Sequence, residues 1–324
     1  MIGDMSHPAE PPLIILLAGP TAVGKTDLAI DLALRLGTEI INADSMQIYR
    51  YMDIGTAKPT REQREHVPHH LLDVANPDEP FDAARFAELA RPVIENLHSQ
   101  GKIPLIVGGT GLYVKVLTRG ICDGATGDLK VRDQLFRELV ERGLPRLHEE
   151  LLRVDPDAGR RIHPHDRQRI VRALEVYRLT GRPISSLQSR HRFSRNIYSS
   201  VKVFLCRERK ALYERIDHRV QQMMDEGLTE EVRRLLEMGY GPELKPMQSL
   251  GYKQVAAYLR GSGSLDSAIF EIQRATRRYA KRQLTWFRSD PEFRWFNAEN
   301  RGEILEWVQF LVTSTRDREL QRGQ

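Results

Sequence analysis

Cysteine is nearly missing: Cys122 and Cys206 are the only two in 324 residues. That excludes a disulfide framework and a Cys-rich zinc site, and it points to a reducing cytoplasm. Long apolar runs are missing too. The longest, at 13–18, is six residues, against the roughly 20 that a membrane span needs, and the mean hydropathy is -0.46. The same run fails as a secretory signal, because Asp4 and Glu10 precede it where positive charge is wanted and no small-residue cleavage site follows. No repeat or low-complexity tract occurs. With 40% apolar and 29% charged residues, wholesale disorder is excluded. A soluble protein of one or two domains is expected.

Charge is present and unevenly placed. The net value of +5 is too small to imply a polyanion partner by itself. Residues 160–195, however, hold Arg160, Arg161, Arg167, Arg169, Arg172, Arg178, Arg182, Arg190, Arg192 and Arg195 against Asp166 and Glu175. That segment is +8 and the rest of the chain is -3. A merely solvated face interleaves both signs, so this segment reads as a polyanion-binding module. A second basic stripe, Arg274, Arg277, Arg278, Lys281 and Arg282, lies on one face of a helix ending near Trp286 and Phe287. It is a track for nucleic-acid phosphates or a solvated face.

Periodicity supplies the architecture. Buried-type strands are expected at 13–18, 38–42, 70–74, 103–107 and 201–206, with helices at 26–36, 81–100 and 112–117 between them. Such alternation implies an α/β fold: a mostly parallel sheet with helices on both faces. It stops near Gly120, where 122–127 reads as a linker. From 128 to 180 the pattern is helical throughout. Helices resume after the 201–206 strand, at 209–226, 228–238, 249–259 and 265–287. The expected domains are a core of 1–125 and 196–324 and a helical, Arg-rich insertion of 126–195.

The sharpest motif is Gly19-Pro20-Thr21-Ala22-Val23-Gly24-Lys25-Thr26, a GxxxxGKS/T phosphate loop between a strand and a helix. It makes the core P-loop NTPase-like. Loop amides and the helix N-terminus face phosphate oxygens, Lys25 adds a point charge, and the Thr26 hydroxyl can ligate Mg2+. Nucleotide-binding P-loops use a strand ending in a Mg2+-directing Asp, but the 103–107 strand ends in glycines. The 38–42 strand leads instead to Asp44, at a carboxyl end where ligands bind open α/β sheets. Asp44 can serve near Mg2+, as a general base, or as N-cap of a following helix. Thr110, in the Gly-rich turn 108–111, can face the same crevice. His163 with His165, and His69 with His70, lack the further ligands a metal site needs. Met223, Met224, Trp295 and Trp307 read as packing.

With these residues in place the sequence resembles the tRNA dimethylallyltransferase (tRNA isopentenyltransferase) family, bacterial type. The resemblance rests on GPTAVGKT at 19–26, NADSMQIYR at 42–50, DIGTAKP at 53–59, GGTGLYV at 108–114, HPHDRQRIVRALEVYRLTGRPIS at 163–185, LYERIDHRVQQMMDEGL at 212–228, LGYKQ at 250–254 and ATRRYAKRQLTWFR at 275–288. It implies prenyl transfer from dimethylallyl diphosphate, with Mg2+, to N6 of the adenosine 3′ of the anticodon in tRNAs reading codons that begin with U. The diphosphate would occupy the P-loop with Arg219 as a further ligand, and Asp44 would take the proton from the amine, with Lys25, Thr26 and Thr110 beside it. The tRNA anticodon stem-loop would lie against Asp44, Ser45, Met46, Gln47, Thr110, Gln168, Arg169, Ile170, Val171, Arg172, Met247, Gln248, Ser249, Leu250, Gly251 and Tyr252. Arg132 is assigned to tRNA without a motif around it. A zinc-finger extension of the eukaryotic type is not in the pattern, so zinc is not implied. A cytoplasmic monomer without membrane attachment is expected.

Two other classes compete. An adenylate isopentenyltransferase or small-molecule P-loop kinase would give the +8 segment no purpose. A GTPase-like or non-catalytic RNA-binding protein would need a guanine-selective motif such as NKxD, which does not occur.

Overall fold

A computed structural model describes residues 11–120, 128–191 and 196–322; the linker expected at 122–127, with Cys122, and the arginines Arg192 and Arg195 lie outside them. The elements run β1 (Leu13–Ala18), α1 (Lys25–Leu36), β2 (Ile40–Asn42), α2 (Arg61–His66), β3 (His69–His70), α3 (Ala83–Ser99), β4 (Leu105–Gly108) and α4 (Gly111–Arg119). Five helices follow: α5 (Leu129–Arg142), α6 (Leu144–Val154), α7 (Pro156–Arg161), α8 (Arg167–Thr180) and α9 (Ile184–His191). The chain then forms β5 (Ser199–Cys206), α10 (Arg209–Asp225), α11 (Leu228–Glu237), a 3-10 turn (Pro246–Gln248), α12 (Tyr252–Leu259), α13 (Leu265–Phe287), β6 (Arg294–Asn297) and α14 (Arg301–Arg322). It divides into two compact units, Met1–Leu117 with Tyr198–Gln324, and Thr118–Ile197.

The first unit carries a six-stranded sheet of order β3-β2-β4-β1-β5-β6, parallel at every pairing. Its central strands are apolar at consecutive positions because both faces are covered. Ile15 and Leu17 of β1, with Leu105, Val203 and Leu205, share one core with Leu28 and Leu32 of α1, Leu212 and Ile216 of α10, and Ile304 and Val308 of α14. Alternation puts Ile14 and Leu16 on the opposite face, equally buried. The second unit is all helix, with Leu135, Leu147, Leu151, Ile162, Ile170 and Leu174 in its core.

Several elements differ from the sequence expectation. The strand at 70–74 is cut to two residues, since Leu71 and Asp73 have φ of 62° and 57° and leave the β region. The helical stretch 128–180 is four helices. Gly143 (φ 78°) separates the first two, and Asp155 caps the third, accepting the Ala158 amide at 2.9 Å ahead of Pro156. Helix α12 starts at Tyr252, three residues late, after Gly251 in a positive-φ conformation. Helix α2, with no buried residue, rests on a Thr60–Gln63 capping box, and β6 is a short edge strand. Both escaped the periodicity reading. Helix α14 did not have to, because Ile304, Val308 and Val312 recur every four residues and are buried.

Candidate active site

The phosphate loop turns out of β1 through Ala22 (φ 62°) and Gly24 (φ 104°), which start α1 at Lys25. Its carbonyls are held by cations. The Lys25 ammonium donates to Gly19 O and Pro20 O, both at 2.9 Å. Arg215 of α10 donates to Ala22 O at 2.9 Å, and Arg207, just before α10, to Val23 O at 3.1 Å. The buried Gln283 of α13 ties the loop sideways. It accepts the Thr21 amide through Oε1 and donates to Gly109 O through Nε2, each at 3.0 Å. A Cβ on Gly109 would stand 2.1 Å from that Nε2, so this glycine is needed for close approach. The loop is therefore shaped before any ligand arrives.

Asp44 follows β2, on the same side of the sheet. No helix begins after it, so the helix-cap role does not exist in the fold. Its Oδ1 accepts the Met46 amide at 2.8 Å, and its own amide donates to Asn42 Oδ1 at 3.3 Å. That is a local Asx-type turn. Thr110 packs on this turn, its Oγ1 accepting the Ser45 amide at 3.0 Å, and Tyr279 stands beside Thr110. The structure thus brings Asp44, Ser45 and Thr110 together and adds Tyr279, whose place in ATRRYAKRQ carries no local signal of its role.

Electrostatics bind this corner to the phosphate loop. Burial pushes Lys25 down to about 8, with Asp44 opposing the shift and Arg219 adding to it. Arg219 is lowered for the same reason, Asp44 again opposing and Arg215 adding. Burial raises Tyr113 and Tyr279 above the usual tyrosine value, so both stay neutral. Two cations whose charged forms burial penalises are prepared for an anion.

Lys25, Asp44, Arg215, Arg219, Tyr279 and Gln283 line one cavity of about 1270 Å³, while Thr110 and Tyr113 stand behind its wall rather than on it. Its far wall is the segment 53–64, tied to the Asp44 turn by Gln47, whose Nε2 donates to Thr56 O and Ala57 O at 3.1 Å. Met223 also lines the cavity, which corrects its assignment to packing alone. Trp295 and Trp307 are half-buried and pack on Phe204 and Phe296.

A magnesium ion needs few protein ligands when phosphate oxygens complete its shell. Among the described residues no three His, Cys, Asp or Glu side chains are grouped to hold a metal. Thr26, at the mouth of α1 in the same cavity, offers the single hydroxyl such an ion takes, and the residues fit it.

The residues assigned to RNA fall into two sorts. Gln168 and Arg169 are exposed on α8, and Gln248 is exposed ahead of α12. Ile170 and Val171, at 0% and 3% exposure, belong to the second unit's core, and Met247 and Tyr252, both at 0%, belong to the first unit's. Those four side chains cannot touch RNA, so any role of their segments rests on neighbours and backbone. Ser249 and Leu250 are half-buried. Arg132 and Arg172 both grip the fully buried Glu175, at 3.0 and 2.6 Å. Burial alone would raise that carboxyl; the two arginines hold it below the usual value. On α13, Arg274, Arg278, Lys281 and Arg282 are exposed, while Arg277 is tied to Asp217. His163 and His165 sit on the surface with rings 5.3 Å apart.

Comparison with known proteins gives a consistent result. The IPP transferase family matches residues 47–290. A tRNA dimethylallyltransferase of Syntrophobacter fumaroxidans is 61% identical over 92% of this chain and 87% of its own. The tRNA dimethylallyltransferase 2 of Syntrophus aciditrophicus is 50% identical over 94% and 98%. The crystal structure of a tRNA isopentenylpyrophosphate transferase from Bacillus halodurans is 39% identical, with a TM-score of 0.71 over 96% of this chain and 99% of that one. A eukaryotic dimethylallyltransferase acting on tRNA is 30% identical, with a TM-score of 0.76 over 89% and 74%.

Proposed function

The chain belongs to the IPP transferase family, and from that premise we propose that it moves the dimethylallyl group of dimethylallyl diphosphate onto N6 of the adenosine 3′ of the anticodon, in tRNAs reading codons that begin with U. The observation that carries this reading is the single cavity holding a carboxylate, Asp44, together with two cations, Lys25 and Arg219. Adenine's amine is a weak nucleophile because its lone pair is delocalised into the ring. Asp44 orients it and takes its proton as N6 bonds to C1 of the donor. The C1–O bond breaks at the same time, and its electron pair leaves on the diphosphate. Lys25, Arg219 and the loop amides stabilise that charge. Mg2+ held at Thr26 supplies further charge compensation when bound. The adenine must leave its stack to enter, which single-stranded loops allow.

The second unit's exposed arginines support a tRNA acceptor rather than a free nucleotide. In this reading the enzyme works as a monomer in the cytoplasm; among the described residues no helix is long and apolar enough to cross a membrane. Labelled dimethylallyl diphosphate offered with tRNA, with AMP and with no acceptor tests the proposal. Label in tRNA alone is expected. Label in AMP would make the protein an adenylate prenyltransferase, and label in neither would remove prenyl transfer.

A further inference from the structure

One end of the cavity's far wall, at 53–55, is held by a carboxylate that no motif marks. Glu231 of α11 is 3% exposed. Its Oε2 accepts the amides of Asp53 and Ile54 at 2.9 and 2.8 Å, and its Oε1 accepts the Gly55 amide at 3.1 Å and the Tyr252 hydroxyl at 2.6 Å. Four bonds fill the acceptor sites of a carboxylate, so Glu231 has no capacity left for a ligand. It can only hold. What it holds is the start of the 53–59 wall, whose next carbonyls, of Thr56 and Ala57, are those gripped by Gln47 beside Asp44. Ala57 has φ 49°, a left-handed state that a non-glycine residue keeps only when its surroundings fix it.

We propose that Glu231 is the positioning residue of the donor site, clamping the 53–59 wall to α11, and that Tyr252 acts through it by completing the clamp. The proposal deepens the prenyl-transfer reading and rests on it for the identity of the donor. The nearness of the parts supports it: a Cβ on Gly55 would stand 2.6 Å from the Tyr252 ring and 2.8 Å from Leu228, so the wall lies flat against α11 and α12.

Glu231→Gln keeps the shape but turns an NH2 group toward the wall's own N–H donors, losing about half the bonds. A displaced wall weakens ground-state and transition-state contacts alike, which raises KM and spares kcat. Expected for Glu231→Gln is a KM for dimethylallyl diphosphate raised about 10-fold, with kcat within about 3-fold. Tyr252→Phe removes one bond and leaves the carboxylate in place, so a rise of about 2- to 4-fold is expected. The double variant should be no worse than Glu231→Gln alone, because both act on one group. Hydrogen exchange of the 53–55 amides, read on the folded protein, should quicken in Glu231→Gln while the global melt stays cooperative. Faster exchange with an unchanged KM would reduce Glu231 to a fold-stabilising group and overturn the proposal, as would effects that multiply in the double variant. Wild-type protein that leaves tRNA unlabelled would overturn the functional reading instead. The exchange arm needs no turnover and would still decide the clamp.

Discussion

Asp44 and Lys25 face the same cavity, and the proposed reaction gives them opposite work, one to accept a proton and the other to keep one. Asp44→Asn retains the oxygen that accepts the Met46 amide, so the turn should survive. What is lost is the negative charge and the basic site. Single-turnover rates with saturating tRNA and donor should fall about 100- to 10,000-fold, with tRNA affinity and melting temperature near wild type. A rate within a few-fold of wild type would remove Asp44 from the chemistry. For Lys25 the direction of the shift sets the pH response. Its value in the fold, about 8, lies below the ordinary 10.5, so the fold rejects a proton that the unfolded chain keeps. Stability of the protein measured alone should therefore rise between about pH 8 and 10.5. Diphosphate favours the ammonium, so donor affinity should drop as pH climbs past about 8, and binding there should take up a proton. Calorimetry in two buffers of different ionisation heat checks this, with Lys25→Ala losing the uptake. Both residues were legible in the sequence because their signals are local, a GK step and an acid two residues beyond a strand. Gln283 and Glu231 were not legible. The partners of Gln283 are 262 and 174 residues away and the three backbone amides on Glu231 are 176–178 away, and nothing in the neighbouring sequence tells a buried Gln or Glu from a surface one.

At the scale of elements, the cavity of the candidate site is made by strand ends and closed by the C-terminal helices. β1, β2 and β4 deliver the phosphate loop, Asp44 and Thr110 to one end of a parallel sheet, which alternation in the sequence already implied. Helices α10 and α13 then supply Arg215, Arg219, Tyr279 and Gln283 to the same cavity. The sequence reading used α13 for its basic stripe and for the family resemblance, and gave none of its residues a place in the site. The opposite face of the same helix braces the site, since a long helix presents different residues to solvent and to core. Gln283→Leu should show this. It leaves the half-buried Thr21 amide and the buried Gly109 carbonyl without their partner. The expected cost is about 1–3 kcal/mol of stability per orphaned group, read by urea titration. Turnover should fall as well, because loop and Thr110 turn are no longer held in register. A variant as stable as wild type would mean that other groups satisfy both atoms.

Charge organises the whole molecule. Thr118–Ile197 carries 17 lysines and arginines against 11 aspartates and glutamates, or +6, while the remaining 244 residues carry 32 against 33, or -1. The sequence located this excess correctly but could not say which arginines are available. Arg178 is committed to Glu138 and Glu150, and Arg132 and Arg172 to the buried Glu175. Arg169 is different: its side chain is 70% exposed and, among the described residues, pairs only with Asp166, at 3.2 Å, a surface pair worth little. The substitutions should therefore separate. Arg169→Gln should leave the melting temperature alone and reduce the slope of log Kd for tRNA against log salt by about 0.7–0.9, the release expected for one phosphate contact. Arg172→Gln removes one of two cations from a carboxylate that cannot reach water, so it should lower the melting temperature as well as tRNA affinity. Donor binding, measured without tRNA, should be untouched in both. An Arg169→Gln protein with wild-type salt dependence would return that arginine to a solvated face, and the tRNA contact would then have to be sought on the exposed side of α13.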